Sequence, residues 1–161
     1  MLGTITSLVV ALLIPQTVGM VAGIATARST REWYPSLEKP WYTPPSWLFG
    51  PAWLVLYVAM GVASWRVWGA GLETPGVSLA LTVYGVHLLV NGLWSILFFG
   101  MRRPDLAMYE VVLLWLGVVA SLVLFWRVDP FAGALMIPYL FWVSFAAVLN
   151  RGVVIRNPVS R

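Results

Sequence analysis

Residues 74–101 read TPGVSLALTVYGVHLLVNGLWSILFFGM and carry no charged side chain. An α-helix needs about 20 predominantly apolar residues to cross roughly 30 Å of hydrocarbon. Every backbone polar group must find a partner inside the lipid, and a helix satisfies these groups within its own segment. This stretch therefore predicts a membrane-spanning helix over residues 76–99.

Four similar runs lie within residues 1–27, 40–65, 111–126 and 130–150, and the fourth span reaches crossing length by including Glu110. Transmembrane barrels need strands of about ten residues with alternating polarity, and Val111–Val119 and Leu135–Val143 show no alternation. The sequence therefore predicts an all-α integral membrane protein, a five-transmembrane-helix bundle. We expect one transmembrane domain over residues 1–161, with spans at 4–27, 46–67, 76–99, 105–127 and 130–151 and a long loop at 28–45.

The composition excludes an ordinary soluble domain. The chain has 161 residues, of which 60% are hydrophobic and 10% charged, against about 25% charged residues in typical soluble domains. The first run is interpreted as a retained helix rather than a signal peptide. No Lys or Arg precedes it, and it exceeds the roughly 7–15 apolar residues of a signal core. Because the chain contains no cysteine, it forms no disulfide.

The basic residues indicate the orientation of the bundle. With five spans, the first and third connections and the C-terminus share one side of the membrane, and the second and fourth connections share the other. Cytoplasmic loops carry an excess of Lys and Arg. We therefore expect the long loop and the C-terminus in the cytoplasm and the N-terminus outside, and the net charge of +4 is not read as a nucleic-acid signal. The cations are Arg28, Arg31, Lys39, Arg102, Arg103, Arg151, Arg156 and Arg161 on the first side, and Arg66 and Arg127 on the other.

Polar and aromatic residues recur at helical spacing in the third span, on a face formed by Tyr84, His87, Asn91, Trp94, Ser95 and Phe98. His87 falls near the bilayer midplane, where a polar group should point into the bundle and have a partner. One interpretation is the floor of a cavity, where His87 and Asn91 orient an amphipathic ligand; the other is ordinary hydrogen bonding between helices. Helical spacing also places Trp53, Tyr57 and Met60 on one face of the second span. It places Tyr139, Trp142 and Ala146 on one face of the last span. The three faces together favour a pocket.

Catalytic and metal-binding patterns are absent from the sequence. No His, Cys or acidic cluster has metal-ligand spacing, and neither a Ser-His-Asp set nor a phosphate-cradling glycine loop occurs. A single histidine could ligate haem iron, but no second axial residue accompanies it. We therefore expect no metal site and no obligatory cofactor.

Several motifs occur in the order and spacing of one known family. Residues 33–45 contain WY-x-x-L-x-KP-x-x-x-PP, and Asn91-Gly-Leu-Trp94 and Pro138-Tyr139-Leu-Phe-Trp142 follow. The chain resembles the translocator protein family, also called tryptophan-rich sensory proteins or peripheral-type benzodiazepine receptors, over nearly its whole length.

The resemblance implies a homodimer of five-helix bundles with a pocket beneath the long loop that binds porphyrins and benzodiazepine-type ligands. It implies pocket residues Tyr34, Trp53, Asn91, Trp94, Trp142 and Ala146, to which the face analysis adds His87 and Tyr139. Trp53 and Trp142 correspond to tryptophans linked to light-dependent porphyrin breakdown. The C-terminal sterol pattern of eukaryotic members includes a tyrosine that residues 148–156 lack, which argues against specific sterol binding.

These observations leave more than one function open. The first is a receptor or sensor in a bacterial membrane that binds protoporphyrin IX, haem-related tetrapyrroles or other hydrophobic molecules. The second is transport of such ligands, although the sequence shows no inverted repeats. The third is a light- and oxygen-dependent porphyrin-degrading enzyme with Trp53 and Trp142 as catalytic residues, which rests on the resemblance alone. The expected partners are the ligand, the lipid bilayer and a second copy of the chain, and no nucleic acid.

Overall fold

A computed structural model describes residues 2–158, and the backbone alone at Leu2. Arg161, one of the cations used to predict the orientation, lies outside the described residues. A 3-10 turn at Tyr34–Ser36 and a π-helical turn at Ile96–Gly100 accompany six α-helices. The helices are α1 (Leu2–Glu32), α2 (Ser46–Gly69), α3 (Val77–Ser95), α4 (Pro104–Val128), α5 (Pro130–Leu135) and α6 (Ile137–Arg156).

Within residues 2–158, five helical stretches are long and apolar enough to cross a membrane, and α5 and α6 together form the last of them, Pro130–Arg156. The prediction of an all-α, five-span membrane protein is confirmed. The last span breaks at Met136, two residues before Pro138. Pro138 has no backbone N–H and therefore leaves the carbonyl one turn earlier without its helical donor.

The first helix is longer than its predicted span. It continues to Glu32, so residues 28–32 of the predicted loop are helical. Its last turns are stabilised by the ion pair between Arg28 Nε and Glu32 Oε2, 3.1 Å apart at i, i+4 spacing, and by the hydrogen bond from Thr30 Oγ1 to the Thr26 carbonyl. The long loop is therefore residues 33–45, and this range is meant by the term below.

The outer surface of the bundle is apolar. Ile24, Leu89 and Phe141 are each more than 70% exposed, whereas Met60 and Tyr139 are completely buried. Large exposed side chains of this kind would be costly in water. The pattern is the one expected of helices whose outer faces contact lipid.

At the end of the bundle opposite the long loop, an ion pair joins the last turn of α2 to the residue between α4 and α5. Arg66 Nε donates to Asp129 Oδ2 at 2.7 Å, and Asp129 Oδ1 accepts from the backbone N–H groups of Phe131 and Ala132 at the start of α5. Burial alone would raise the pKa of Asp129, but the hydrogen bonds from Arg66 and from these two N–H groups outweigh it and hold the pKa below its usual value. The carboxylate is thus favoured in the folded state.

Replacing Asp129 with asparagine is expected to destabilise the protein slightly and only above acidic pH. Asparagine is also a good N-cap, so the change removes mainly the exposed ion pair, which is worth about 0.2–1 kcal/mol. The pKa of Asp129 is lower in the folded protein than its value of about 3.9 in the unfolded chain. The carboxylate therefore contributes its full stabilisation above the unfolded-state pKa, and this contribution is lost as the pH falls through the folded-state pKa. Thermal unfolding at pH 7 and pH 3 checks this, with Asp129→Ala as the variant that also loses the cap. An equal penalty for Asp129→Asn at both pH values would contradict the assignment.

Candidate ligand-binding site

A cavity of about 910 Å³ lies beneath the long loop. Its walls come from α1, α2, the end of α3 with the π-helical turn, α6, and the loop itself. Small-molecule pockets commonly measure about 300–1,000 Å³, so this cavity is large enough for a bulky ligand. Its lining includes Gly19 and Gly23 from α1, Trp53 and Tyr57 from α2, Trp94, Phe98 and Phe99 from the third span, Trp142 and Ala146 from α6, and Tyr34 and Lys39 from the loop.

Aromatic rings form two walls of the cavity. On one wall Trp53 stacks on Tyr57 at 5.3 Å between ring centroids, and Trp142 meets Trp53 nearly perpendicularly at 6.3 Å. On the other wall Trp94 stacks on Phe98 at 5.2 Å. Flat aromatic ligands can stack on such faces or meet their edges, and each such contact adds about 0.5–1.5 kcal/mol beyond area burial.

A hydrogen-bonded row of three side chains underlies the first wall. The Tyr57 hydroxyl donates to Asn91 Oδ1 at 2.9 Å, and Asn91 Nδ2 donates to the Tyr139 hydroxyl at 2.9 Å. Asn91 and Tyr139 are buried behind the lining, and Tyr57 alone of the three reaches the cavity. The row joins α2, α3 and α6 and fixes the direction of the Tyr57 ring.

The mouth of the cavity is cationic. Arg31 and Lys39 both line it, and Lys39 Nζ donates to the carbonyls of Pro35 and Leu37 at 3.1 Å each. The same ammonium group lies 4.9 Å from the centroid of the Tyr34 ring. Burial raises the pKa of the Tyr34 hydroxyl above its usual value of 10.0, so this group is a neutral hydrogen-bond donor at physiological pH. An anionic group on a ligand would find its counter-charges at this end.

His87 lies away from the cavity, in the contact between α3 and α4. Its Nδ1 is 3.3 Å from Ser121 Oγ, and its ring packs against Tyr84 and Tyr139 with centroids 5.3 and 5.7 Å away. Gly117 makes room for it, since a methyl group there would stand 2.9 Å from the His87 Cβ. Of the two interpretations of His87, this placement corresponds to hydrogen bonding between helices.

The structure brings five of the eight sequence-predicted binding residues to the cavity surface: Tyr34, Trp53, Trp94, Trp142 and Ala146. His87, Asn91 and Tyr139 stand behind that surface. Within residues 2–158, no three His, Cys, Asp or Glu side chains are grouped so as to hold a metal ion.

Sequence reasoning missed parts of the lining. Gly19 was not among the predicted site residues, although it lines the cavity and the Tyr57 ring lies directly against it. The π-helical turn also had no signal in the sequence. It places the Phe98 and Phe99 rings, whose centroids are 4.7 Å apart, against the Tyr34 ring at centroid distances of 6.3 and 5.4 Å, and such turns often occur at functional sites.

The sequence pattern of one family, described as the TspO/MBR family, matches residues 11–156. The chain belongs to the TspO/MBR family. The match covers the long loop, the last four spans and all but the first residues of α1. Every residue that lines the aromatic cavity lies within the matched region. The resemblance drawn from the loop and tryptophan motifs is confirmed.

Individual TspO/MBR relatives agree with this membership. Protein CrtK of Rhodobacter capsulatus is 44% identical over 126 residues, covering 78% of this chain and 79% of its own. The tryptophan-rich protein TspO of Chlorobaculum tepidum is 38% identical over 141 residues, covering 88% and 89%. The translocator protein of Sus scrofa is 37% identical over 141 residues, covering 86% and 82%. Similarity thus extends to bacterial and animal proteins alike.

Proposed function

We propose that the protein is a membrane receptor or sensor that binds porphyrins, such as protoporphyrin IX, and other hydrophobic ligands in the cavity beneath the long loop. The observation that carries the proposal is the combination of two aromatic walls with a cationic mouth. A tetrapyrrole is flat and apolar, with carboxylates on one edge. Its ring suits Trp53, Trp94 and Trp142, and its carboxylates suit Arg31 and Lys39.

The proposal also covers the orientation of the protein, the membrane it occupies and its oligomeric state. The eight-to-two bias of cations supports an orientation with the long loop and the C-terminus in the cytoplasm and the N-terminus outside. The bacterial relatives support a bacterial membrane. The family resemblance supports a homodimer, and transport of the ligand would use the same cavity. Porphyrin enters this proposal as a ligand and not as an obligatory cofactor.

Protoporphyrin IX is expected to quench tryptophan fluorescence of the purified protein at micromolar concentration. Trp53→Phe and Trp142→Phe should each weaken binding about 2–10-fold, the range that corresponds to one aromatic contact. Trp126→Phe is the matched control, because Trp126 is 46% exposed on α4 and does not line the cavity. Absence of quenching, or equal affinity in all four proteins, would contradict the proposal.

A second candidate function is light- and oxygen-dependent porphyrin degradation. It is favoured by the placement of Trp53 and Trp142, which both line the cavity with their rings 6.3 Å apart. Illumination of the bound complex in air should then give a new product by absorption spectroscopy. If either tryptophan variant still binds protoporphyrin but yields no product, the result supports porphyrin degradation in which that tryptophan takes part. Binding without any product in the unsubstituted protein would favour sensing or transport.

A further inference from the structure

Glu110 is an acidic side chain buried inside a membrane span without a partner. It lies on α4, which begins at Pro104, and it is 8% exposed. Both of its carboxyl oxygens are shielded from solvent, and neither has a hydrogen-bond partner among residues 2–158. An ionisable group inside a membrane span is expensive against lipid, and such groups commonly mark a functional site. Glu110 does not line the cavity, so the cavity alone does not explain it.

The basic residues at this end of the bundle do not neutralise Glu110. Arg103 Nε and Nη2 donate to Asp105 Oδ1 and Oδ2 at 2.8 and 2.6 Å, and no ion pair in the described part of the chain involves Glu110. Three further cations at this end are exposed: Arg102, Arg151 and Arg156. A buried carboxylate with neither a counter-charge nor a donor costs far more than the neutral acid. These surroundings therefore favour the form of Glu110 that carries a proton.

The helices packed against α4 present few other titratable groups to Glu110. From α6, Tyr139 is close enough for its hydroxyl to interact electrostatically with the Glu110 carboxyl. From α3, His87 packs two turns further along α4, with Tyr84 beside it. From α2, Arg66 is engaged in the ion pair at the opposite end of the bundle, and the π-helical turn and α5 carry no charged residue. Tyr139 is thus the polar group through which Glu110 can communicate with the rest of the core.

A hydrogen-bonded row leads from Tyr139 to the cavity. Tyr57 lines the cavity and donates to Asn91, and Asn91 Nδ2 donates to the Tyr139 hydroxyl. The Tyr139 hydroxyl accepts this bond through a lone pair, so its own hydrogen remains available for a further acceptor. The Glu110 carboxyl supplies acceptor atoms that no donor in the described residues uses. A direct contact or one bridging water can therefore extend the row to Glu110.

We propose that Glu110 is a proton-binding site coupled to the cavity through the row of Tyr139, Asn91 and Tyr57. The coupling is electrostatic, because a ligand that brings carboxylates into the cavity repels a negative charge on Glu110 and so favours its protonated form. By linkage, ionisation of Glu110 weakens the binding of such a ligand by the same factor. The coupling rests on the proposed function, whereas the proton-binding site itself depends on no ligand.

Carbodiimide labelling tests the proton-binding site without a ligand. Dicyclohexylcarbodiimide is apolar and reacts with protonated carboxyl groups inside membranes, whereas a water-soluble carbodiimide reaches exposed carboxyl groups only. We expect the apolar reagent to label Glu110 in the unsubstituted protein, as mapped by peptide mass spectrometry, and the water-soluble reagent to leave it unlabelled. Absence of the label at every pH from about 5 to 8, or equal labelling by both reagents, would overturn the proposal.

Two glutamine variants accompany the labelling. Glu110→Gln has nearly the shape of the neutral acid and should remove the label that the apolar reagent adds to the span. Glu73→Gln is the matched control, because Glu73 is exposed in the connection between α2 and α3, and this variant should label as the unsubstituted protein does. Circular dichroism should show both variants helical. Since the labelled residue is mapped in the unsubstituted protein, the test does not depend on the folding of either variant.

Protoporphyrin IX gives a readout that a merely structural role of Glu110 would not move. With the porphyrin bound, the pH at which half of Glu110 is labelled should rise by about half a unit, a factor of about three. Raising the pH through that range should weaken binding about threefold in the unsubstituted protein and in His87→Gln, but not in Glu110→Gln. The His87 variant separates the second titratable group of this region from Glu110.

The outcomes distinguish the coupling from the proposed function. A pH dependence that persists in Glu110→Gln, or that disappears in His87→Gln, would overturn the coupling. If the unsubstituted protein shows no quenching by protoporphyrin, the proposed ligand is wrong, and the carbodiimide labelling still decides whether Glu110 binds a proton.

Discussion

Gly19→Ala is expected to weaken protoporphyrin binding about tenfold and to leave the protein less stable than Gly23→Ala by about 1–3 kcal/mol, the usual cost of overpacking. A methyl group at Gly19 would overlap the edge of the Tyr57 ring. That ring cannot retreat freely, because it stacks on Trp53 and its hydroxyl donates to Asn91. Displacing Tyr57 therefore moves Trp53 and changes the shape of the aromatic wall.

Gly23→Ala is the matched control for this prediction. Gly23 lies one turn further along α1 and also lines the cavity, but a methyl group there would meet no atom within 4 Å. Alanine favours helix over glycine by about 1 kcal/mol, so this variant should be slightly stabilised, and its affinity should fall far less than that of Gly19→Ala. Thermal unfolding and fluorescence titration measure both effects. Equal behaviour of the two variants would show that Tyr57 is not held against α1.

The five spans could be predicted because their cause is local to each segment. A run such as residues 74–101 has no charge to solvate, and lipid accepts only backbones that satisfy their own hydrogen bonds. The residues at which the helices end were harder to predict. The last turns of α1, up to Glu32, contain a pair of charged side chains at i, i+4 spacing. Such a pair adds only about 0.2–0.5 kcal/mol, which is too little to predict where the helix ends.

The aromatic part of the site could also be predicted, since helical spacing placed Trp53, Trp94 and Trp142 on inward faces. Helical spacing cannot tell which inward residues reach a cavity and which stop in a helix contact. His87 and Trp94 share one face of the third span, yet His87 packs on Ser121 of α4 and Trp94 lines the cavity. The neighbouring helix decides between these outcomes, and the sequence of one span does not contain its neighbour's position.

The row from Tyr57 through Asn91 to Tyr139 carries the second large expected effect. Asn91→Leu should lower the free energy of unfolding by about 1–3 kcal/mol. The lower figure is the loss of two hydrogen bonds between helices, each worth about 0.6 kcal/mol on average in membrane proteins. The upper figure is the cost of leaving a buried hydroxyl group without a partner. Tyr139 is completely buried, so its hydroxyl cannot turn to water. Tyr57 loses its acceptor, and protoporphyrin affinity should fall several-fold.

A triple variant tests whether this loss comes from unpaired hydroxyls. Adding Tyr57→Phe and Tyr139→Phe to Asn91→Leu removes both hydroxyls that the asparagine had satisfied, and replacing all partners of a hydrogen bond with apolar groups can be nearly neutral. Most of the lost stability should therefore return. If the triple variant is no more stable than Asn91→Leu, the row is not what joins the three helices. If stability returns while affinity stays low, Asn91 or a tyrosine hydroxyl contacts the ligand directly, as the family resemblance implies for Asn91. If both return, Asn91 acts by holding the wall of the cavity in place.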